Sequence, residues 1–211
     1  MENELSKKLG DLLEDEVLNL VQERLDRGGD PMQILADCQQ GVQIVGKKFE
    51  DGQYYISDLI MAGEIFKQIN TKLADKLSGD FGPSLGKVVV GTVKDDIHDI
   101  GKDLVVQMLR ASNFDVTDLG VDVPAEKFVQ AVQDTGAKVV GLSCLLTFGY
   151  DSIKATIEAL EKAGLRPSVK VIIGGGPIDE KVKEYTGADA WGADPQSAVK
   201  QTSQWMEVDH G

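Results

Sequence analysis

Apolar residues recur with the period of an α-helix through the first third of the chain, and this pattern predicts four helices. A short first helix begins near Glu4. The second carries the apolar stripe Leu13, Val17, Leu20, Val21 and Leu25. The third carries the stripe Ile34, Cys38, Val42, Val45 and Phe49. The fourth begins near Ser57 and has the candidate buried positions Leu59, Ile60, Gly63, Phe66, Leu73 and Leu77. Short connections between the four predict a helical bundle.

Glycine, proline and capping residues mark the ends of these helices. Gly28-Gly29 ends the second helix. Asp30, Pro31 and Gln33 then supply the third helix with an N-cap, a first-turn proline and a capping-box glutamine. A segment rich in Gly, Pro and Ser at residues 78–84 does not permit the fourth helix to continue, so it predicts a linker.

Beyond that linker, short apolar runs typical of strands alternate with helical patterns. The predicted strands cover residues 87–93, 115–119, 138–142, 169–173 and 188–191. The predicted helices begin near Gly101, Pro124, Gly149, Ile178 and Pro195. Because every crossover is a helix, the five strands form a parallel, doubly wound sheet. The predicted fold class is α + α/β, a four-helix bundle followed by a Rossmann-like (flavodoxin-like) domain, with boundaries at 1–78 for the bundle, 79–85 for the linker and 86–211 for the α/β domain.

Composition narrows the range of functions. The formal net charge of -13, with no basic cluster, disfavours a nucleic acid or an anionic membrane as partner. No segment has the length and apolar character of a membrane span or a signal peptide. Cys38 and Cys144 form no CxxC motif, Cys38 lies on a core stripe, and a reducing cytoplasm is expected. Neither GxGxxG after the first strand nor GxxxxGK[ST] is present, which disfavours dinucleotide and nucleoside-triphosphate sites.

The strongest chemical signal is the loop that follows the first predicted strand, because open α/β sheets bind ligands at the carboxyl ends of their strands. Asp96 and His98 lie two residues apart in this loop. The chain has two histidines, and the other, His210, lies in a predicted tail. His98 is therefore the candidate imidazole for any chemistry.

Four interpretations of this loop compete. A magnesium pocket of a receiver domain is disfavoured, because the third strand ends in Ser143 and Cys144 where a phospho-acceptor aspartate is required. A hydrolytic metal set of Asp96, His98 and Asp99 lacks a second interior histidine. His98 alone could bind a metal axially, with Asp96 holding its other ring nitrogen. The fourth interpretation is structural, with His98 capping the following helix.

Two further motifs end neighbouring strands at the same edge of the sheet. Ser143-Cys144-Leu145 follows the third predicted strand, and Gly174-Gly175-Gly176 follows the fourth. Together with Asp96-x-His98-x-x-Gly101, these motifs resemble the cobalamin-binding signature shared by methionine synthase, the B12 mutases and corrinoid methyl carriers. The helical bundle extends the resemblance to essentially the whole chain, since corrinoid proteins of anaerobic methyltransferase systems, and the matching modules of methionine synthase, have the same arrangement.

The resemblance implies cobalamin or a related corrinoid as cofactor, bound in a base-off/His-on mode. His98 would be the lower axial ligand of cobalt, Asp96 its hydrogen-bond partner and Ser143 the next member of the relay. The glycines would let the backbone approach the displaced corrinoid tail. The implied cofactor-binding set is Asp95, Asp96, Ile97, His98, Asp99, Ile100, Gly101, Ser143, Leu145, Thr147, Gly174, Gly175, Gly176 and Met61.

Two of these positions, Thr147 and Met61, have an alternative role, and a third, Asp95, departs from the family pattern. Thr147 falls where the family often has a hydroxyl near the tail base, although it could equally cap the next helix. Met61 lies in a segment, 54–64, that resembles the helix start facing the upper side of the corrin, or it belongs to the bundle core. Asp95 departs from the family, which usually has glycine immediately before the Asp-x-His motif.

By the same resemblance, the chain would carry a methyl group on cobalt as a subunit of a methyltransferase system, without being a complete enzyme alone. A donor-specific methyltransferase would load it from a methoxyaromatic, methylamine, methanol or betaine donor. A second methyltransferase would deliver the methyl group to tetrahydrofolate or a thiol, and a reductive activator would restore oxidised cobalt. The bundle would shield the methyl group and move about the linker. The alternatives are a B12-dependent sensor, which usually adds a DNA-binding segment, an adenosylcobalamin mutase subunit, which needs a separate barrel, and a flavodoxin-like domain without cobalamin.

Overall fold

The computed structural model of the protein describes residues 3–74 and 84–208. The chain passes from one compact unit to a second between Ser84 and Leu85. Most of the predicted linker at 79–85 lies outside the described residues, as do the predicted core residue Leu77 and the tail residue His210. The domain boundaries at 78 and 86 therefore stay predictions.

The first unit contains the four predicted helices: α1 (Glu4–Gly10), α2 (Glu14–Asp26), α3 (Pro31–Glu50) and α4 (Ile56–Ala74). The Asp30 side chain caps α3 by accepting a hydrogen bond from the Met32 amide, and Pro31 occupies the first turn. The predicted capping-box role of Gln33 is wrong, because its side-chain amide donates to Asp37 Oδ1, one turn further along the helix, at 2.9 Å.

Most of the predicted apolar stripes form the core of this unit. Its buried side chains include Val17, Val21, Ile34, Cys38, Val42, Val45, Leu59, Phe66 and Leu73. Two predicted core residues are wrong: Leu13 is 40% exposed before the first turn of α2, and Ile60 is 43% exposed on α4. Helical periodicity identifies the buried stripe correctly, but the apolar residues at its margins remain in contact with solvent.

The second unit alternates strands and helices as predicted. Its elements are β1 (Lys87–Thr92), α5 (Ile100–Ala111), β2 (Asp115–Asp118), α6 (Ala125–Thr135), β3 (Val139–Ser143), α7 (Tyr150–Lys162), β4 (Lys170–Gly174), α8 (Glu180–Thr186), β5 (Ala190–Gly192) and α9 (Pro195–Val208), with 3₁₀ turns at Thr147–Gly149 and Arg166–Ser168. All strand pairs are parallel, in the order β2-β1-β3-β4-β5. This is the flavodoxin-like strand order, so the predicted fold class is confirmed.

The strand register aligns the candidate motifs. Thr92 at the end of β1 pairs with Ser143 at the end of β3, and Ser143 pairs in turn with Gly174 at the end of β4. The three central strands, β1, β3 and β4, are almost wholly buried, which is the pattern of a parallel sheet covered on both faces. The three motif-bearing loops therefore begin side by side at the carboxyl edge of the sheet.

Among residues 3–74 and 84–208, no helix combines the length and the apolar character needed to cross a membrane.

Candidate functional site

His98 lies in the loop after β1, and a single buried carboxylate holds both its ring and its backbone amide in place. Its Nδ1 lies 2.6 Å from Asp96 Oδ1, and its backbone amide donates to the same oxygen at 3.0 Å. The Asp96 side chain is fully buried, whereas the His98 side chain is 48% exposed. No hydrogen bond to Nε2 is formed by any residue of the described chain. The ring is thus fixed at one nitrogen and offers the other, which does not fit the interpretation of His98 as a helix cap.

The second oxygen of Asp96 joins this loop to the loop after β3. Asp96 Oδ2 accepts hydrogen bonds from the backbone amides of Leu145 at 2.6 Å and Leu146 at 3.2 Å. Burial alone would raise the pKa of the Asp96 carboxyl, but its hydrogen bonds outweigh that effect and lower the pKa to about 2. The carboxylate is therefore ionised at neutral pH, and it can hold a proton on Nδ1 and leave the lone pair on Nε2.

Ser143 ends β3 next to the end of β1. Its carbonyl accepts a hydrogen bond from the Val93 amide at 3.0 Å, which joins the ends of β1 and β3. Within the described chain, the amides of Leu145 and Leu146, and not the Ser143 hydroxyl, donate to the Asp96 carboxylate. The relay through Ser143 stays a prediction.

Asp95 occupies a position with the backbone conformation of a glycine. Its φ of 68° is left-handed, which explains why a family would use glycine there. Aspartate is one of the few other residues that tolerate this region. The Asp95 amide donates to Asp122 Oδ1 at 2.8 Å, and the Asp122 amide donates to the Asp96 carbonyl at 2.9 Å. The departure from glycine is therefore accommodated by the loop that follows β2.

Exposed apolar side chains occur on the segments that follow β1, β2 and β3, at the edge of the sheet that carries the Asp96–His98 pair. They are Ile97 (73% exposed), Ile100 (78%), Val121 (37%), Leu145 (42%) and Phe148 (66%). Gly101 lies in the first turn of α5, and a Cβ built there would meet no atom within 4 Å. Such exposed apolar groups around a polar centre indicate a surface that a ligand covers. Of the predicted residues here, Asp99 contributes its carbonyl to the Asp103 amide at the start of α5.

The three glycines at the end of β4 differ in what an added side chain would contact. Gly175 has a φ of 140°, and a Cβ there would lie 1.8 Å from the Cys144 carbonyl oxygen, so the protein itself excludes a side chain. A Cβ on Gly176 would lie 3.1 Å from a methyl carbon of Leu145. A Cβ on Gly174 would meet only the Gly192 carbonyl at 3.4 Å, an ordinary contact. Of these three glycines, Gly174 is thus the one at which an added Cβ would make only an ordinary contact.

Two alternative interpretations of predicted site residues are wrong. Thr147 begins the 3₁₀ turn before α7, and no side chain caps either that turn or the helix, so Thr147 is not a helix cap. Met61 is 39% exposed on α4, so it is not part of the bundle core. The predicted contacts of both residues with a corrinoid stay predictions.

The structure adds two residues that sequence reasoning missed. Thr92, fully buried at the end of β1, donates from Oγ1 to the His98 carbonyl at 2.9 Å. Lys102, only 3% exposed, contacts both carboxylate oxygens of Asp118 and also Asp103. The available signal for Thr92 was a hydroxyl at the last position of an otherwise apolar strand.

His98 has no companion ligands in the described part of the chain. No group of three or more His, Cys, Asp or Glu side chains in residues 3–74 and 84–208 is arranged to hold a metal ion. A metal bound here would receive most of its ligands from elsewhere. A planar organic macrocycle lying against the exposed apolar side chains would provide them.

Comparisons with known proteins agree with this site. Two matches to a B12 binding domain cover residues 86–200 and residues 1–73. The chain belongs to the B12-binding corrinoid proteins. A corrinoid protein of Desulfitobacterium hafniense is 36% identical over 94% of each chain, and the dimethylamine corrinoid protein of Methanosarcina barkeri is 33% identical over 96% of this chain and 98% of its own. The crystal structure of the methanol:cobalamin methyltransferase complex of Methanosarcina barkeri aligns with a TM-score of 0.82 at 25% identity, over 96% of this chain and 78% of that one.

Cobalamin or a related corrinoid is the cofactor of this corrinoid protein, and the residues present fit it. His98 offers one imidazole nitrogen that could serve as a single axial ligand. The exposed side chains of Ile97 and Ile100 offer apolar surface beside His98, and a Cβ added at Gly101 would meet no other atom within 4 Å. The predicted identity as a cobalamin-binding protein related to methyltransferase systems is confirmed.

Proposed function

We propose that this corrinoid protein carries methyl groups between two methyltransferases and binds cobalt through His98 as the lower axial ligand. One observation carries the proposal: His98 Nδ1 is held at 2.6 Å by the buried, ionised carboxylate of Asp96, while the opposite ring nitrogen has no hydrogen-bond partner in the described chain. A carboxylate in this position raises the basicity of a metal-binding imidazole and fixes its tautomer.

The bound corrinoid supplies the chemistry, since its cobalt can accept a methyl group from a donor and release it to an acceptor. The chain supplies the surroundings. Asp96 keeps the proton on Nδ1, so that the donor lone pair of His98 faces away from the loop. Ile97, Ile100 and Leu145 would offer apolar surface to the bound corrinoid and would exclude water from the surroundings of His98.

The displaced corrinoid tail is proposed to pass along the loops after β3 and β4. Gly174 leaves the space for it, while Gly175 keeps those two loops close together. Ser143, at the end of β3, pairs with Gly174 at the end of β4. Thr147 is exposed in the 3₁₀ turn that follows β3. The hydroxyl groups of Ser143 and Thr147 are suited to hydrogen bonds with the tail. Asp95 would hold the loop at the ring's edge through its bond to Asp122.

The similarity to a dimethylamine corrinoid protein and to a methanol:cobalamin methyltransferase complex supports methylamines and methanol over methoxyaromatics and betaines as donors. A donor-specific methyltransferase, a second one that delivers the methyl group to tetrahydrofolate or a thiol, and a reductive activator are the proposed partners, in the cytoplasm. The helical bundle is proposed to shield the methyl group, with Met61 facing it. No observation favours the sensor or the mutase interpretation.

The proposal is tested by loading the cofactor-free protein with hydroxocobalamin, removing free cofactor and recording absorption spectra. The wild-type spectrum should show a nitrogen ligand on cobalt. His98→Ala should give the spectrum of cobalamin with water or no ligand on the lower side. Lys94→Ala, which changes an exposed side chain on the same loop, is the matched control and should resemble the wild type. Identical spectra for His98→Ala and the wild type would contradict the proposal.

Transfer itself is measured with purified partner enzymes. The loaded, reduced protein is mixed with a methylamine-specific or a methanol-specific methyltransferase and its substrate, and demethylated substrate is quantified against protein. At least one of the two should transfer one methyl group per cobalt. Failure with both, while methoxyaromatic or betaine enzymes succeed, would contradict the assignment of the donor class.

A further inference from the structure

The backbone of His98 is held on both sides by fully buried residues. Its amide donates to Asp96 Oδ1 at 3.0 Å, and its carbonyl accepts from Thr92 Oγ1 at 2.9 Å. Both Thr92 and Asp96 have no exposed surface. We infer that Thr92 is a positioning residue for the His98 ligand, and this inference rests on the ligation proposed above.

Other forces on this part of the loop are weak. The neighbouring side chains Ile97 and Ile100 are 73% and 78% exposed, so apolar burial does not fix the backbone between them. The anchors to Asp122 reach only Asp95 and the Asp96 carbonyl. The hydroxyl of Thr92 is therefore the contact that holds the His98 carbonyl itself, and the next anchor along the chain is the Asp99 carbonyl, which accepts from the Asp103 amide at 2.7 Å.

Thr92 is itself immobilised by its surroundings. Its amide donates to the Gly120 carbonyl at 2.9 Å, and its carbonyl accepts from the Val123 amide at 3.0 Å. It also pairs with Ser143 in the sheet. A β-branched side chain has few χ1 rotamers, so a fixed backbone also fixes the hydroxyl. Thr92 thus connects the His98 carbonyl by one hydrogen bond to a residue that the sheet holds in a fixed position.

This connection matters because an axial ligand must return to the same place each time it leaves the metal. Asp96 orients the ring, but the position of the ring also depends on the backbone to which it is attached. Without the Thr92 hydroxyl, the imidazole samples more positions, and ligation must overcome a larger loss of entropy. A residue with only a structural role would change the stability of the fold and leave the ligation equilibrium unaltered.

The test compares variants that differ in this hydroxyl. Thr92→Val keeps the shape of threonine and removes the donor, and Thr92→Ser keeps the donor. Each is prepared with ¹⁵N-labelled histidine, loaded with unlabelled cobalamin, reduced to cobalt(II) and examined by electron paramagnetic resonance, in which doublet splitting by the labelled imidazole identifies His-on cobalt. Thr92→Val should lower the His-on to His-off ratio by about fivefold to tenfold, the change expected for one hydrogen bond. Thr92→Ser should restore the wild-type ratio.

Thr156 on α7 provides a matched control. It is 1% exposed, and its hydroxyl donates to the Ser152 carbonyl at 2.8 Å, so Thr156→Val also removes a buried hydroxyl that bonds to a backbone carbonyl. This variant should leave the His-on to His-off ratio unchanged. If valine at position 92 prevents folding, Thr92→Ala and Thr92→Ser repeat the comparison, because they differ only in the hydroxyl.

A wild-type ratio in Thr92→Val, or an equal loss in Thr92→Ser, would overturn the inference while the histidine signal of the wild type still supports the proposed function. A wild-type protein without any histidine signal would refute the proposed ligation and, with it, the role of Thr92. Hydrogen exchange at the amides of residues 98–100 in the cofactor-free protein gives a separate measurement. Exchange there should be faster in Thr92→Val than in Thr156→Val, and equal rates would also overturn the inference.

Discussion

Asp95 and Asp122 hold each other in left-handed backbone conformations, with φ values of 68° and 53° and a 2.8 Å hydrogen bond from the Asp95 amide to Asp122 Oδ1. Each lies on a loop at the carboxyl edge of the sheet. Their contact joins the loop that carries His98 to the loop after β2. The position that departs from the family's usual glycine is therefore one where the backbone amide, rather than the side chain, makes the structural bond.

The stability of variants at residue 95 should depend on how well the new residue tolerates a left-handed backbone conformation. Asp95→Gly keeps the amide donor and relieves a left-handed cost of about 1–2 kcal/mol, which the greater freedom of glycine in the unfolded chain offsets by about 0.5–1 kcal/mol. We expect a free energy of unfolding within about 1 kcal/mol of the wild type. Asp95→Val should lose about 2 kcal/mol, because a β-branched residue tolerates this region poorly. Urea unfolding measures both, and equal stability of the two variants would contradict the account.

Alanine substitutions at Gly174 and Gly175 should have different effects, one on cobalamin affinity and the other on the stability of the fold. Gly175→Ala forces a Cβ to within 1.8 Å of the Cys144 carbonyl at a φ of 140°, so it should lower the free energy of unfolding by about 2 kcal/mol or more. Gly174→Ala makes only an ordinary contact, so the cofactor-free protein should unfold normally while its affinity for cobalamin falls. Calorimetric unfolding and cobalamin titration test the pair. Unimpaired cobalamin affinity in Gly174→Ala would argue against passage of the tail at that position.

Lys102 should stabilise the start of α5 through Asp118 rather than through Asp103. Its side chain is 3% exposed, and that of Asp118 is 26% exposed, whereas that of Asp103 is 52% exposed. Lys102→Met should cost about 1–3 kcal/mol, because it leaves a partly buried carboxylate without its partner. Asp103→Asn should cost less than about 1 kcal/mol, as expected for an exposed pair. Denaturant unfolding of both variants measures these losses of stability. A larger loss of stability for Asp103→Asn than for Lys102→Met would contradict the assignment of Asp118 as the main partner.

Both cysteines should be unreactive in the folded protein. Burial raises the pKa of the Cys38 thiol to about 12 and that of Cys144 to about 11, so neither forms appreciable thiolate at pH 8. Labelling with a chromogenic disulfide reagent should be slow in buffer and should reach two thiols per chain in denaturant. Lys94→Cys, at an exposed position on the His98 loop, is the control and should add one thiol that reacts at once. Rapid labelling of the folded wild type would contradict the burial of both residues.

Much of the fold was available from the sequence because it depends on periodicity. The valine-rich run that became β1, and the alternation of strands with helices, were sufficient to predict the parallel sheet. Ile60 was assigned to the core because hydropathy alone does not define where a buried stripe ends. The pairing of Asp96 with His98, one of the interpretations of the loop and the one that the family resemblance implies, is present in the structure.

Other parts of the site depend on backbone groups, which a sequence does not display. The amides of Leu145 and Leu146 hold the Asp96 carboxylate, and any residue except proline would provide them. The requirement for Gly175 arises from a carbonyl on the neighbouring loop. The bond from Thr92 to the His98 carbonyl likewise depends on the turn of the loop and on the strand end from which it begins.

The central claim, that His98 binds cobalt from below, is tested most directly by isotope labelling. A His210→Gln variant, in which His98 is the remaining histidine, is prepared with ¹⁵N-labelled histidine, loaded with unlabelled cobalamin and reduced to cobalt(II). Because ¹⁴N splits each cobalt line into a triplet and ¹⁵N into a doublet, the electron paramagnetic resonance spectrum should change from triplets to doublets on labelling. Triplets that persist would assign the axial nitrogen to the cofactor's own tail and would contradict the claim, as would a spectrum without nitrogen splitting.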